Sequence, residues 1–310
     1  RLVLVILLLG IPARLPANEN PAVSRIKSMN GQVVIDSKTG KVMQVTLANR
    51  RVRGDDLKHL APLTSLRMLD VSGTDIRDEG LRFAASLKSL AAIDLSAARV
   101  TGPGLRHLKD LPQLEIVGLG GIQVTDSTLK FVSELTRIKR LDLSRSRVTD
   151  RGLASLAALQ NLEQLVLVGT PVSDEGIRQL AALKKLESLN VSGTRITDEA
   201  LRMAARGNRL TTLIADNTDI TSDGVAALKG AQLKVLCLAL TRIDDEALPH
   251  LSTLTSLETL ALSGTLITDE ALPHLAKLTK LRELMLNTTR VTKAGVQQLQ
   301  KTLPNCTIHW

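Results

Sequence analysis

The sequence predicts an α/β solenoid, built from short strand-plus-helix copies with a parallel sheet on the concave face and short helices on the convex face. Three observations carry the prediction. A six-residue pattern, apolar at its first, fourth and sixth positions, recurs at 24-residue spacing along most of the chain. Between these patterns apolar residues fall every three to four positions. The composition is 44% hydrophobic but only 1% aromatic, so the core is aliphatic and Leu-dominated.

The pattern starts at Leu66, Leu90, Leu114, Ile138, Leu162, Leu186, Leu210, Leu233, Leu257 and Leu281, with one spacing of 23 between Leu210 and Leu233. A degenerate copy starts at Val42, and a terminal half-copy at Asn305 places Ile308 and Trp310 in apolar positions. Leu186-Glu-Ser-Leu189-Asn-Val191 alternates apolar and polar residues, the period of a half-buried strand. A Ser-Gly-Thr turn follows, then Ile196 pointing inward. Thr197 or Asp198 can cap the helix that comes next, and Glu199 suits the dipole of its first turn. Leu248, Leu251 and Leu254, like Leu272, Leu275 and Leu278, keep the spacing of a short helix with one apolar side. One strand and one helix cannot bury their apolar faces alone, so the copies must stack.

Written out, the copies follow LxxLxLxxTxITDxGLxxLxxL. This resembles the leucine-rich-repeat family in the Thr-type variant found in bacterial repeat proteins, over almost the whole chain. The resemblance implies a right-handed horseshoe. It also implies that Thr74, Thr170, Thr194, Thr218, Thr241, Thr265 and Thr289 bond to turn backbone in the neighbouring copy. Arg50, Ala98, Ile122 and Ser146 depart from that slot, which makes the ladder weakest in the N-terminal third.

Residues 1–17 read as the end of a secretory signal peptide: Arg1, about ten apolar residues, then Pro12-Ala13 and Pro16-Ala17. The apolar run is too short for a membrane span, which needs roughly 20 residues. Residues 18–41 are expected to form a linker and an N-terminal β-hairpin cap, with strands at Gly31–Asp36 and Lys41–Val45. Eleven repeats of about 24 residues then occupy 42–304, and 305–310 form a closing strand in which Trp310 covers the last leucines. Cys237 and Cys306 lie three repeats apart, roughly 14 Å at ordinary strand spacing, beyond the reach of a disulfide.

Composition narrows the function. With two Phe, one Trp and no Tyr, sites built on ring stacking are nearly excluded: base platforms, sugar grooves and cation cages. No nucleophile elbow, phosphate loop, HExxH or paired CxxC occurs. His59, His107, His250 and His274 recur in one helical slot without carboxylates at ligand spacing, so no metal or cofactor is expected. The concave strand positions run Thr46, Asp70, Asp94, Gly118, Asp142, Val166, Asn190, Ile214, Cys237, Ala261 and Met285. They are acidic in the N-terminal half and apolar in the C-terminal half, where Val235 and Leu240 extend an exposed apolar patch of the kind that marks contact surfaces. Arg51, Arg99, Arg147, Arg195, Arg242 and Arg290 occupy one slot in alternate copies. With a net charge of +9, such a row could track a polyanion: an acidic polysaccharide, lipopolysaccharide or nucleic acid. Asp75 and Asp219 dilute it.

The expectation is a non-catalytic, exported scaffold that takes a protein on Asp70, Asp94, Asp142, Val166, Asn190, Ile214, Cys237 and Met285, with polyanion binding by the arginine row as the alternative. Neither a small-molecule substrate nor an integral membrane span is expected. Asn190, Asn287 and Asn305 begin glycosylation sequons, which matter only in a host that glycosylates exported proteins.

Overall fold

The computed structural model describes residues 20–207 and 209–310. The expected leader at 1–17 lies outside them. The described residues form two compact units, 20–148 with 155–162, and 149–154 with 163–310.

The first unit opens with a helix, Pro21–Ser28, in a stretch whose sequence reads as linker. Asn20 caps it through the Ala22 N–H, and Pro21 presets its first turn. Its buried side, Ala22, Val23 and Ile26, covers apolar residues that an end copy would leave exposed. Strands β1 (Gln32–Ile35) and β2 (Val42–Thr46) pair antiparallel, from Gln32 opposite Thr46 to Ile35 opposite Val42. The Asp36 carboxylate closes their turn by accepting from Lys38 N, Thr39 N and the Thr39 hydroxyl. Parallel strands follow at β3 (Met68–Asp70), β4 (Ala92–Asp94), β5 (Ile116–Gly118) and β6 (Arg140–Asp142), each in register with the one before.

The second unit repeats the arrangement in β7 (Gln164–Val166), β8 (Ser188–Asn190), β9 (Thr212–Ile214), β10 (Val235–Cys237), β11 (Thr259–Ala261), β12 (Glu283–Met285) and β13 (Thr307–His309). These are parallel and in register throughout. From β3 to β12 the middle residue of each strand is buried, as Leu69 and Leu141 are in one unit and Leu189, Leu236, Leu260 and Leu284 in the other. The connecting helical turns are short. Gly54–Leu60, Asp78–Ser86 and Pro103–Leu108 are 3-10 helices, whereas Asp174–Gln179 and Asp198–Gly207 are α-helical. Half of a 24-residue copy leaves few residues for a helix, and 3-10 turns fit such pieces.

The threonine slot corrects the expectation. Each hydroxyl donates within its own copy, three residues back: Thr74 to Val71 O at 2.6 Å, Thr170 to Leu167 O at 2.7 Å, Thr194 to Val191 O at 2.6 Å, and likewise Thr218, Thr241, Thr265 and Thr289. All but Thr289 are buried, so the bond satisfies a hydroxyl that water cannot reach. Ile122, which has no hydroxyl to satisfy, turns out to solvent and is 59% exposed.

Bonds between copies come instead from the Thr-Asp pair one turn later. The Asp174 carboxylate accepts from Thr197 N and its hydroxyl at 2.8 and 2.7 Å, and from Ala200 N at 3.2 Å. Asp150 serves Ser173, Asp198 serves Thr221, Asp245 serves Thr268 and Asp269 serves Thr292 in the same way. In the first unit Asp78 serves Thr101 N and its hydroxyl, Gly102 N and Gly104 N. Asp198 therefore caps the turn of the following copy rather than its own helix. At the one shortened copy the pair is exchanged: Ser222 donates to Asp244 at 2.6 Å, and Asp244 N donates back to the serine oxygen. Glycine in the TDxG motif follows from the same contact, because a Cβ at Gly176, Gly224 or Gly295 would strike the preceding carboxylate.

The helix Lys293–Thr302 buries Val296 and Leu299, and Leu303 and Cys306 are buried after it. Trp310, expected to cover the last leucines, is 49% exposed.

The turn after each strand places its middle residue at positive φ, which suits Gly169, Gly193 and Gly264. Leu240 holds that position at φ 56° with no compensating burial, being 62% exposed. A left-handed conformation costs a β-carbon residue roughly 1 kcal/mol or more, and asparagine tolerates it better. Leu240→Asn is expected to raise stability by about 0.5–1 kcal/mol, read from the urea midpoint. A lower midpoint would show that the leucine is held by packing.

Candidate functional site

The solvent-facing residues of the sheet in each unit are the outer members of the three-residue strands. In the first unit the parallel register sets Thr46, Asp70, Asp94, Gly118 and Asp142 side by side. The three carboxylates are half-buried rather than freely solvated, and each closes the turn that follows its strand. Asp70 accepts from Ser72 N at 3.0 Å and its hydroxyl at 2.8 Å. Asp94 accepts from Ser96 N at 2.8 Å, and Asp142 from Ser144 N at 2.8 Å and from its hydroxyl. Burial pushes the Asp70 carboxyl above its ordinary value; the Ser72 bonds oppose this and the Asp94 charge adds to it. Gly118 makes room for the row, since a Cβ there would meet Asp94 Oδ1 at 2.6 Å.

In the second unit the corresponding row is Val166, Asn190, Ile214, Cys237, Ala261 and Met285, held in direct register. Asn190 accepts from Ser192 N and its hydroxyl, taking the role the aspartates have in the first unit. Ala261 is buried and the other five are half-buried, with Val235 beside Cys237 on the same face. The nearby acids are few: Asp216, raised by burial against an opposing bond from Ala239 N, and Glu283.

Cys237 is less open than its sequence position suggests. Burial, with the Asp216 and Glu283 charges, pushes its thiol up to about 12. Cys306 is pushed up to about 11 by burial and Glu283. Both thiols are free. A thiol attacks as thiolate, so at pH 8 both should alkylate at least about a hundredfold more slowly than a free cysteine and react only on unfolding in urea. Fast labelling of folded protein would contradict these surroundings.

The six arginines Arg51, Arg99, Arg147, Arg195, Arg242 and Arg290 are all exposed. Arg99 pairs with Asp75 at 3.1 Å and Arg242 with Asp219 at 2.9 Å, the acids that interrupt the row. His107 and His250 are exposed, and His59 and His274 half-buried. Among the described residues no group of three or more His, Cys, Asp or Glu could hold a metal ion. Among them, too, no helix is long and apolar enough to cross a membrane.

Two features escaped the sequence reading. The strand-end acids carry the signature Asp-x-Ser at 70–72, 94–96 and 142–144, and Asn-x-Ser at 190–192, an Asx turn legible to a search for it. The Asp-to-Thr bond between copies joins residues 23 apart and looks in sequence like a local cap.

The family model described as Leucine Rich repeat matches residues 63–83, 135–157 and 182–203. With the stacked in-register strands, this decides the architecture. The three matched copies are leucine-rich repeats. An internalin from Listeria monocytogenes shares the leucine-rich-repeat fold at 19% identity over 93% of each chain, with a TM-score of 0.54. A TDR receptor does so at 18% identity over 87% of this chain and 47% of its own, with a TM-score of 0.53. Likeness at these identities is one of fold. No curated protein matches the sequence. The leucine-rich-repeat fold is commonly a protein-interaction module.

Proposed function

We propose that the chain is a non-catalytic, exported scaffold that binds a protein partner on the solvent-facing strand residues, with the second unit's row as its main contact. One observation carries the reading: Val166, Ile214, Cys237 and Met285 stand in register across parallel strands, half-exposed and without a formal charge among them. Apolar side chains held on a rigid backbone lose little entropy on contact and release water, as the centre of a protein interface requires. The half-buried acids of the first unit, Asp70, Asp94 and Asp142, offer polar contacts on that unit's strand residues. Export is supported by the apolar run over residues 2–9 and the small residues after it.

The test is capture of the partner from the envelope fraction of the host, followed by its affinity for variants. Ile214→Asp is expected to weaken binding by at least about tenfold by placing a charge in the contact centre, while Lys277→Glu on the helical side leaves it unchanged. Equal affinity of Ile214→Asp and the parent would remove the second unit's row from the interface. The arginine row supports a second reading, polyanion binding, through the exposure of all six side chains. It comes second because two of the six are already ion-paired.

A further inference from the structure

The first unit breaks the carboxylate–threonine ladder at its first step. Gly54 stands where Asp78, Asp150, Asp174 and Asp198 stand in other copies, and Arg77 stands where Thr101, Ser173, Thr197 and Thr221 receive them. A Cβ at Gly54 would meet the Gly80 Cα at 2.6 Å, so the two copies meet backbone to backbone and the slot takes no acid. The N–H that a carboxylate accepts in those later copies belongs here to Arg77, and among the described residues it has no acceptor.

Beside this donor lies a cavity of about 380 Å³ lined by Arg53, Asp55, Asp75, Arg77, Glu79 and Arg99, with Gly54 and Gly80 between them. Three arginines and three acids line it. Asp75 is paired with Arg99 at 3.1 Å, and Asp55 with Arg82, which is outside the lining, at 3.3 Å. That leaves Arg53 and Arg77, neither in an ion pair among the described residues, facing Glu79 and the outward-paired Asp55. Guanidinium groups present paired N–H donors that match the oxygens of a phosphate or sulfate, and a backbone N–H adds a fixed donor.

We propose that this cavity binds a compact oxyanion, phosphate or sulfate, free or as the terminal ester of a larger ligand. The oxyanion supplies from outside the negative oxygens that an aspartate supplies in later copies. The site lies apart from the strand-face row and stands whether or not that row binds a protein.

The test is calorimetric titration of the full chain with inorganic phosphate and, separately, with sodium sulfate, at ionic strength held constant with sodium chloride. The parent is expected to show one saturable site for at least one of the two anions. The double variant Arg53→Ala/Arg77→Ala should bind at least about tenfold more weakly. Glu79→Gln should bind several-fold more tightly, because the competing charge is gone. Arg137→Ala, the loss of one positive charge elsewhere on the unit, should bind like the parent. Binding of one anion only identifies which oxyanion the site takes. If the double variant does not fold, Arg77→Lys, which keeps the charge and loses the planar fork, should still weaken binding. No saturable binding of either anion by the parent would overturn the proposal. So would parent-like binding by the folded Arg77 variants, or an equal loss in Arg137→Ala.

Discussion

Leu260→Ala is expected to lower the stability of the second unit by about 3 kcal/mol, within the 2–5 kcal/mol range of buried leucine truncations. Leu260 is fully buried in the middle of β11, and its register partners Leu236 and Leu284 are fully buried too. Each copy contacts its neighbours and little else, so a cavity in one strand is felt on both sides and cannot be filled by distant rearrangement. Leu266→Ala provides the comparison: that side chain is 46% exposed, and its truncation should cost under about 0.5 kcal/mol. Chemical unfolding of the two variants checks both values. A loss below about 1 kcal/mol for Leu260→Ala would mean that the leucine column is not what holds the copies together.

The second large effect concerns the carboxylate ladder. Asp78 accepts four donors from the next copy, so Asp78→Ala is expected to cost about 2–3 kcal/mol at neutral pH. The pH dependence follows from its ionisation. Burial alone would raise the Asp78 carboxyl, but the bonds from Thr101, Gly104 and Gly102 outweigh it and hold the group below its ordinary value. A carboxyl whose folded value is depressed contributes stability above its unfolded value and loses it as pH falls through the folded one. The parent should therefore lose stability progressively below about pH 4, and Asp78→Asn should start lower at pH 7 and lose less. A variant with the parent's full acid dependence would remove Asp78 as its source.

The strands and the buried column were legible in the sequence because both depend on period. Leu69, Leu189 and Leu260 each sit at the fourth position of a pattern that returns every 24 residues. What was illegible depends on which copy a side chain reaches. Thr194 bonds within its own turn, although the family resemblance implied a neighbour, while Asp174 bonds to the next copy, although its position suggests a local cap. With a period of 24, a partner 23 residues on and a partner one residue back look the same in the sequence. The half-burial of Asp70 and the high thiol value of Cys237 come from packing of adjacent strands, which no single copy reveals. The cavity at Arg53 and Arg77 was hidden for another reason: it arises where the repeat departs from its own rule, and averaging over copies erases such departures.

The central claim, that a protein partner lies on the solvent-facing strand residues of the second unit, is tested most directly by site-specific photocrosslinking. A photoreactive residue replaces Ile214 or Met285 on the strand face, and in parallel Lys277 or Thr253 on the exposed helical side. One adduct of defined mass is expected in the host envelope fraction from positions 214 and 285, and none from 253 and 277. Adducts from the helical positions alone would contradict it.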